Sequence, residues 1–101
     1  MFIFADLRDS KSFGIYQNFH AFVLLEILEH ITADWKIIAS IPSGSKVVFS
    51  VPDFNSKAHV RWFKNQEEVK ERYREWLVFG DMTILTKPEN KNLFVFEARR
   101  L

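Results

Sequence analysis

The chain has 101 residues, 48% of them hydrophobic, with 14 Lys and Arg against 13 Asp and Glu, figures that fit a single globular domain over 1–101. A net charge of +1 supplies no global pull toward nucleic acid or anionic lipid, so neither is an expected partner. The absence of cysteine excludes disulfides, thiolate zinc sites and cysteine nucleophiles, and with no apolar run longer than Ala21 to Leu25 neither a membrane span nor a secretory leader is expected, leaving a cytoplasmic location.

In chain order, Met1 to Ala5 reads as a strand ending at Asp6, where Asp6 to Ser10 supplies polar turn formers. Phe19 to Leu25 is nearly continuous in apolar residues, the pattern of a parallel strand covered on both faces. Thr32-Ala33-Asp34 offers a helix start, with Trp35, Ile38, Ala39 and Ile41 at helical spacing before Pro42-Ser43-Gly44 ends the segment. Lys46 to Val51, closed by Pro52, is the next strand. Strand, helix and strand in this order form a βαβ unit, so the fold class is α/β.

Asn65 followed by Glu68 forms a capping signal for a helix whose apolar face carries Val69, Tyr73, Trp76 and Leu77. The charged run through Glu67, Lys70, Glu71, Arg74 and Glu75 is its solvated surface. Phe79 to Thr86 and Leu93 to Ala98 are two further strands, and Lys87 to Asn92 has the composition of a hairpin loop.

Open α/β sheets bind ligands beyond the carboxyl ends of their parallel strands. Three segments occupy such places: Asp6; Glu26-Ile27-Leu28-Glu29-His30; and Pro52-Asp53-Phe54-Asn55. On a helical turn Glu26, Glu29 and His30 share one face, and two carboxylates with an imidazole can bind a divalent ion or serve as acid and base. His59 is a distant further ligand for the same purpose. It lies in the segment Lys57 to Lys64, whose basic and aromatic mixture suits a loop leading into the capped helix.

The ordered segments Phe19 to Ile31, Ile41 to Phe54 and His59 to Phe63 resemble the C-terminal half of class I S-adenosylmethionine-dependent methyltransferases. The most specific parts are Leu28-Glu29-His30-Ile31 after a buried strand and the Pro42-Ser43-Gly44 turn before a strand ending in Ser50-Val51-Pro52. The resemblance implies a partial Rossmann-like sheet, mostly parallel, with a C-terminal antiparallel hairpin and helices packed on it. It implies S-adenosyl-L-methionine as cofactor, with Asp6 and Leu7 at the adenine ring and Leu25 and Glu26 beside the methionine moiety. His30 would be the general base and Glu29 would orient it. A narrower likeness is to small-RNA 2′-O-methyltransferases, whose Glu-x-x-Glu-His and later histidine hold a divalent metal; Glu26, Glu29, His30 and His59 match those residue types in order. The expectation for this chain is nevertheless no metal.

Departures from the family pattern shape the rest. His20 stands where the family usually has Asp, and the glycine-rich loop that approaches the cofactor backbone has no counterpart, since Gly14, Gly44 and Gly80 are the only glycines. The family sheet is ordered 3-2-1-4-5-7-6, so strands 1 and 2 would be missing and the apolar strand at Ala21 to Leu25 would become an edge able to pair with another copy. The expectation is a fragment or degenerate methyltransferase without independent activity, acting on an unknown methyl acceptor. The alternative is a small non-enzymatic interaction module or homodimer.

Overall fold

Residues 21–101 are described by the computed structural model. The expected strand at Met1 to Ala5, together with Asp6, Leu7 and His20, lies outside the described residues. Among the described residues, four strands, β1 (Ala21–Leu24), β2 (Lys46–Pro52), β3 (Leu77–Lys87) and β4 (Lys91–Arg100), and two α-helices, α1 (Asp34–Ser40) and α2 (Gln66–Tyr73), form the regular structure, with two short 3-10 turns. The sheet runs β1-β2-β4-β3. β1 and β2 are parallel, with Ala21 opposite Lys46 and Leu24 opposite Phe49, and β4 pairs antiparallel with both β2 and β3. The architecture is α/β with a mixed sheet, and its order reproduces the 4-5-7-6 half of the sheet implied by the resemblance.

The crossover from β1 to β2 contains α1, as the βαβ reading requires. Along β1 burial alternates, Phe22 and Leu24 inward, Ala21 and Val23 half-buried. That is the signature of one covered face rather than the two expected from the apolar run, and among the described residues β1 pairs with β2 alone. β2 lies between two neighbours and is buried from Phe49 to Pro52. Its Phe49 is the hub of the core, stacked on Phe96 at 5.3 Å and meeting Tyr73 edge-on at 5.6 Å, the offset and T-shaped arrangements aromatic quadrupoles favour.

α1 turns Ile37 and Ile38 inward and leaves exposed Trp35, which the helical spacing groups with Ile38 and Ile41. The buried stripe is Asp34, Ile37, Ile38 and Ile41. Trp35 instead stacks on Trp76 at 6.4 Å, with Lys36 above its ring. The carbonyls ending α1 are satisfied by Arg100, which donates to Ile38 O at 3.0 Å and Ala39 O at 3.1 Å. α2 opens as its sequence predicts: the Asn65 side chain accepts from Glu68 N, and the Glu68 carboxylate accepts from Lys64 N. It buries Val69 and Tyr73 and ends there. Trp76 and Leu77, expected on its face, belong to the turn and to the first position of β3. The hairpin strands are longer than expected because the turn is confined to Pro88–Asn90, where Glu89 and Asn90 take left-handed backbone.

Both described glycines serve the end of the sheet where β2 begins. Gly44 (φ +87°) occupies the left-handed position of the Pro42–Ser45 turn, closed by Ser45 N on Pro42 O at 3.2 Å. Gly80 lies at the bulge in β3, where a Cβ would come within 3.3 Å of Glu97 O. Neither forms a phosphate- or cofactor-approaching loop.

Candidate functional site

The chain beyond the carboxyl end of β1 first bends sharply. Glu26 takes a left-handed φ of +55°, and its N–H donates to the buried Ser50 Oγ of β2 at 2.8 Å. This conformation costs a non-glycine residue free energy and is held by its surroundings. A single 3-10 turn, Leu28–His30, follows. Leu28 is wholly buried and anchors the turn in the core, which carries Glu29 inward and leaves His30 at the surface.

Beyond the carboxyl end of β2 the segment after Pro52 folds back over this turn. Val60 N donates to Glu29 O at 2.7 Å, and Phe63 N donates to Pro52 O at 2.9 Å. His59 is thereby brought to the turn, its ring centroid 5.0 Å from that of His30 in an edge arrangement. One ligand atom from each of Glu29, His30 and His59 lies within 4.8 Å of the other two. The cluster therefore occupies the place where open α/β sheets bind ligands, beyond the carboxyl ends of two adjacent parallel strands.

Each ring is oriented by a backbone carbonyl: His30 Nδ1 meets Ala58 O at 2.9 Å, and His59 Nδ1 meets Phe54 O at 3.1 Å. A carbonyl can only accept, so both Nδ1 atoms carry a proton, and the tautomer this selects for an uncharged ring has its lone pair on Nε2. Glu29 is 1% exposed, and its Oε1 has no hydrogen-bond partner. Burial pushes its carboxyl above the ordinary range, against the opposing pull of its own backbone N–H and of His30 and His59, while Glu26 adds to the rise. A buried carboxylate oxygen lacking a partner, beside two imidazoles oriented through their other nitrogens, is a donor set able to hold a borderline divalent ion such as zinc or cobalt(II). The residues fit such an ion.

Glu26, expected to share a face with Glu29 and His30, is not among the three. Its backbone turn sends its carboxylate to Lys87 Nζ at 2.8 Å. Phe54 forms a wall beside His59, the rings 5.3 Å apart, and the ammonium groups of Lys87 and Lys91 lie over the same phenyl ring at 5.9 and 5.3 Å. Of the residues implied for the cofactor, Leu25 is half exposed and Asp6 and Leu7 lie outside the described residues. Two residues of the neighbourhood carried no functional signal in the sequence. Asp34 reads as a helix start and Arg61 as part of a basic-aromatic stretch, yet Asp34 is fully buried and Arg61 faces it at 3.4 Å. An isolated buried carboxylate is costly, so an acid at the head of an apolar helical stripe is the clue that a cation must arrive from elsewhere.

Comparison with known proteins supports the fold. No protein-family model and no curated protein sequence matches the chain. The crystal structure of the N-methyltransferase NodS from Bradyrhizobium japonicum WM9, in complex with S-adenosyl-L-homocysteine, is similar, with a TM-score of 0.58 and 15% sequence identity over 81% of this chain. The match covers 46% of the NodS chain. The fold of this protein is therefore methyltransferase-like, and its likeness extends over less than half of that neighbour.

Proposed function

We propose that this chain carries the acceptor side of an S-adenosyl-L-methionine-dependent methyltransferase site, the C-terminal half of the family's domain, with Glu29, His30 and His59 as ligands for a divalent cation. The observation that carries this reading is the convergence of those three side chains beyond the ends of β1 and β2. The neighbour's bound S-adenosyl-L-homocysteine makes a cofactor of that type the natural methyl donor, and the resemblance assigns Leu25 and Glu26 to its methionine side.

A divalent ion would polarise an acceptor oxygen and lower its pKa. This chain's residues would do the remainder by position. The carbonyls of Ala58 and Phe54 hold the two rings in one tautomer, and burial of Glu29 keeps its carboxylate unhydrated beside them. In methyl transfer the protein chiefly aligns nucleophile and methyl donor, so rigid placement is the main requirement. In the absence of the ion, the same lone pair on His30 Nε2 could instead receive the acceptor's proton.

The half-site reading is tested by calorimetric titration of the chain with S-adenosyl-L-homocysteine. The described glycines are committed to a turn and a bulge at the opposite end of the sheet, so nothing among the described residues lets the main chain approach the cofactor closely. The expected result is no saturable heat. A saturable one-to-one isotherm would show that this chain encloses the cofactor by itself and would end the half-site reading.

A further inference from the structure

The two halves of the Glu29, His30 and His59 cluster come from segments 28 residues apart, as the contact of His30 with Ala58 illustrates, and neither segment is held by a long helix or strand. The turn at Leu28–His30 is three residues long, and His59 belongs to the irregular stretch between β2 and α2. Fixing such segments has an entropic cost at every residue. Something must hold them together if the three side chains are to stay convergent.

Arg61 has the contacts to do so. Its Nη1 donates to Leu28 O and, at 2.7 Å, to Ile31 O, and its Nη2 donates to Thr32 O at 2.8 Å. These carbonyls bracket Glu29 and His30 on both sides; Leu28 O also accepts from Ile31 N at 3.5 Å, the bond that closes the turn, and Arg61 ties that turn to the chain that follows it. Arg61 itself stands two residues after His59. The guanidinium, partly buried, faces Asp34 at 3.4 Å, and that carboxylate is in turn fixed by Arg72 and Tyr73 of α2. A planar fork of donors can serve three divergent carbonyls and one carboxylate together, whereas a lysine ammonium of nearly the same charge has neither the reach nor the directions.

We infer that Arg61 is the positioning residue of this site: braced by Asp34, it clamps the turn bearing Glu29 and His30 to the loop bearing His59. The inference rests on the reading of that cluster as a functional site, but its effect on the histidine tautomers does not require an ion. Arg61 donates no hydrogen bond to either imidazole or to the Glu29 carboxylate, with which it interacts only through its charge, so its hydrogen bonds hold the site through the backbone.

The test compares R61K and R61Q with R72K. Arg72 shares Asp34 but donates to none of the three carbonyls, so R72K reports the general cost of disturbing the ion pair. Long-range 15N NMR of the imidazoles reads the tautomers, and titration with cobalt(II), followed by its visible absorption, reads the ligand geometry. The wild type is expected to show both rings as the Nδ1–H tautomer. In R61K or R61Q, whichever keeps the wild-type circular dichroism, the Nε2–H tautomer appears and cobalt(II) affinity falls by about tenfold or more, the loss typical when a ligand's supporting contact is removed. R72K lowers the unfolding midpoint but leaves the tautomers unchanged and the affinity within about twofold. Unchanged tautomers in a folded Arg61 variant, equal losses in R72K, or loss of the fold in both Arg61 variants would overturn the inference. Tautomers that respond to Arg61 in a wild type blind to cobalt(II) would uphold the clamp while ending the metal reading.

Discussion

The carboxylate of Asp34 and the guanidinium of Arg72 meet through two hydrogen bonds, Nε to Oδ2 at 2.9 Å and Nη2 to Oδ1 at 2.8 Å, across 38 residues of sequence. This fork joins the head of α1 to the last turn of α2. Tyr73 Oη adds a third donor at 2.6 Å, and Trp35 N a fourth at 2.9 Å. The carboxylate is wholly buried, so its charge survives only because these partners replace water.

Removing that charge should be expensive. D34N leaves Arg61 and Arg72 facing one another without an anion, and loss of one member of a buried ion pair typically costs about 3–5 kcal/mol. Urea unfolding followed by circular dichroism measures it. A loss below about 1 kcal/mol, the range of an exposed pair, would mean that Asp34 is not the electrostatic anchor described above.

Stability should depend on pH with two opposed contributions. Burial pushes Asp34 toward the neutral acid, but hydrogen bonds from Arg72 and Tyr73 and the charge of Arg61 outweigh it and hold the carboxyl below the ordinary range. Its contribution is therefore present above the ordinary aspartate pKa and lost as pH falls through the lower folded value. Glu29 has the opposite sign. Its folded pKa is raised by burial, so the folded protein holds the proton longer than the unfolded chain, and stability declines as pH rises from the ordinary glutamate range through the raised value. In metal-free buffer E29Q should abolish that decline and raise the urea midpoint at neutral pH. Parallel pH profiles for E29Q and wild type would contradict the assignment.

The start of α2 provides a simpler test. Asn65 accepts from Glu68 N at 3.0 Å, and N65A should lower stability by about 1 kcal/mol with little effect on ligand binding. Thermal melts compared with wild type measure the loss, and an unchanged melting temperature would refute the cap.

That cap was legible in the sequence because it is local: donor and acceptor are three residues apart, and an apolar run follows. The β2, β3 and β4 segments were legible for a similar reason, since strand alternation and turn chemistry survive without knowledge of the neighbours. Trp35 was misleading. Counting apolar residues alone put it on the inner face of α1, whereas the true stripe begins with the charged Asp34, whose partners Arg61 and Arg72 are 27 and 38 positions away. Trp76 and Leu77 continued the helical spacing of α2 because an apolar residue at a helix end and one at a strand start look alike in sequence. Glu29, His30 and His59 were singled out by residue type, but their separation from Glu26 depends on one left-handed backbone angle. The clamp by Arg61 depends on where two loops meet, which no local pattern encodes.

The most direct test of the account is a titration of the chain with cobalt(II), read by its visible absorption, for wild type, H30A and H59A. The prediction is one ion per chain for the wild type, with absorption bands of a nitrogen- and oxygen-ligated centre that are lost in both variants while circular dichroism is unchanged. Cobalt(II) binding that persists at full strength without His30 or His59, or a wild type that binds none, would contradict the claim that these side chains form a metal-binding acceptor site.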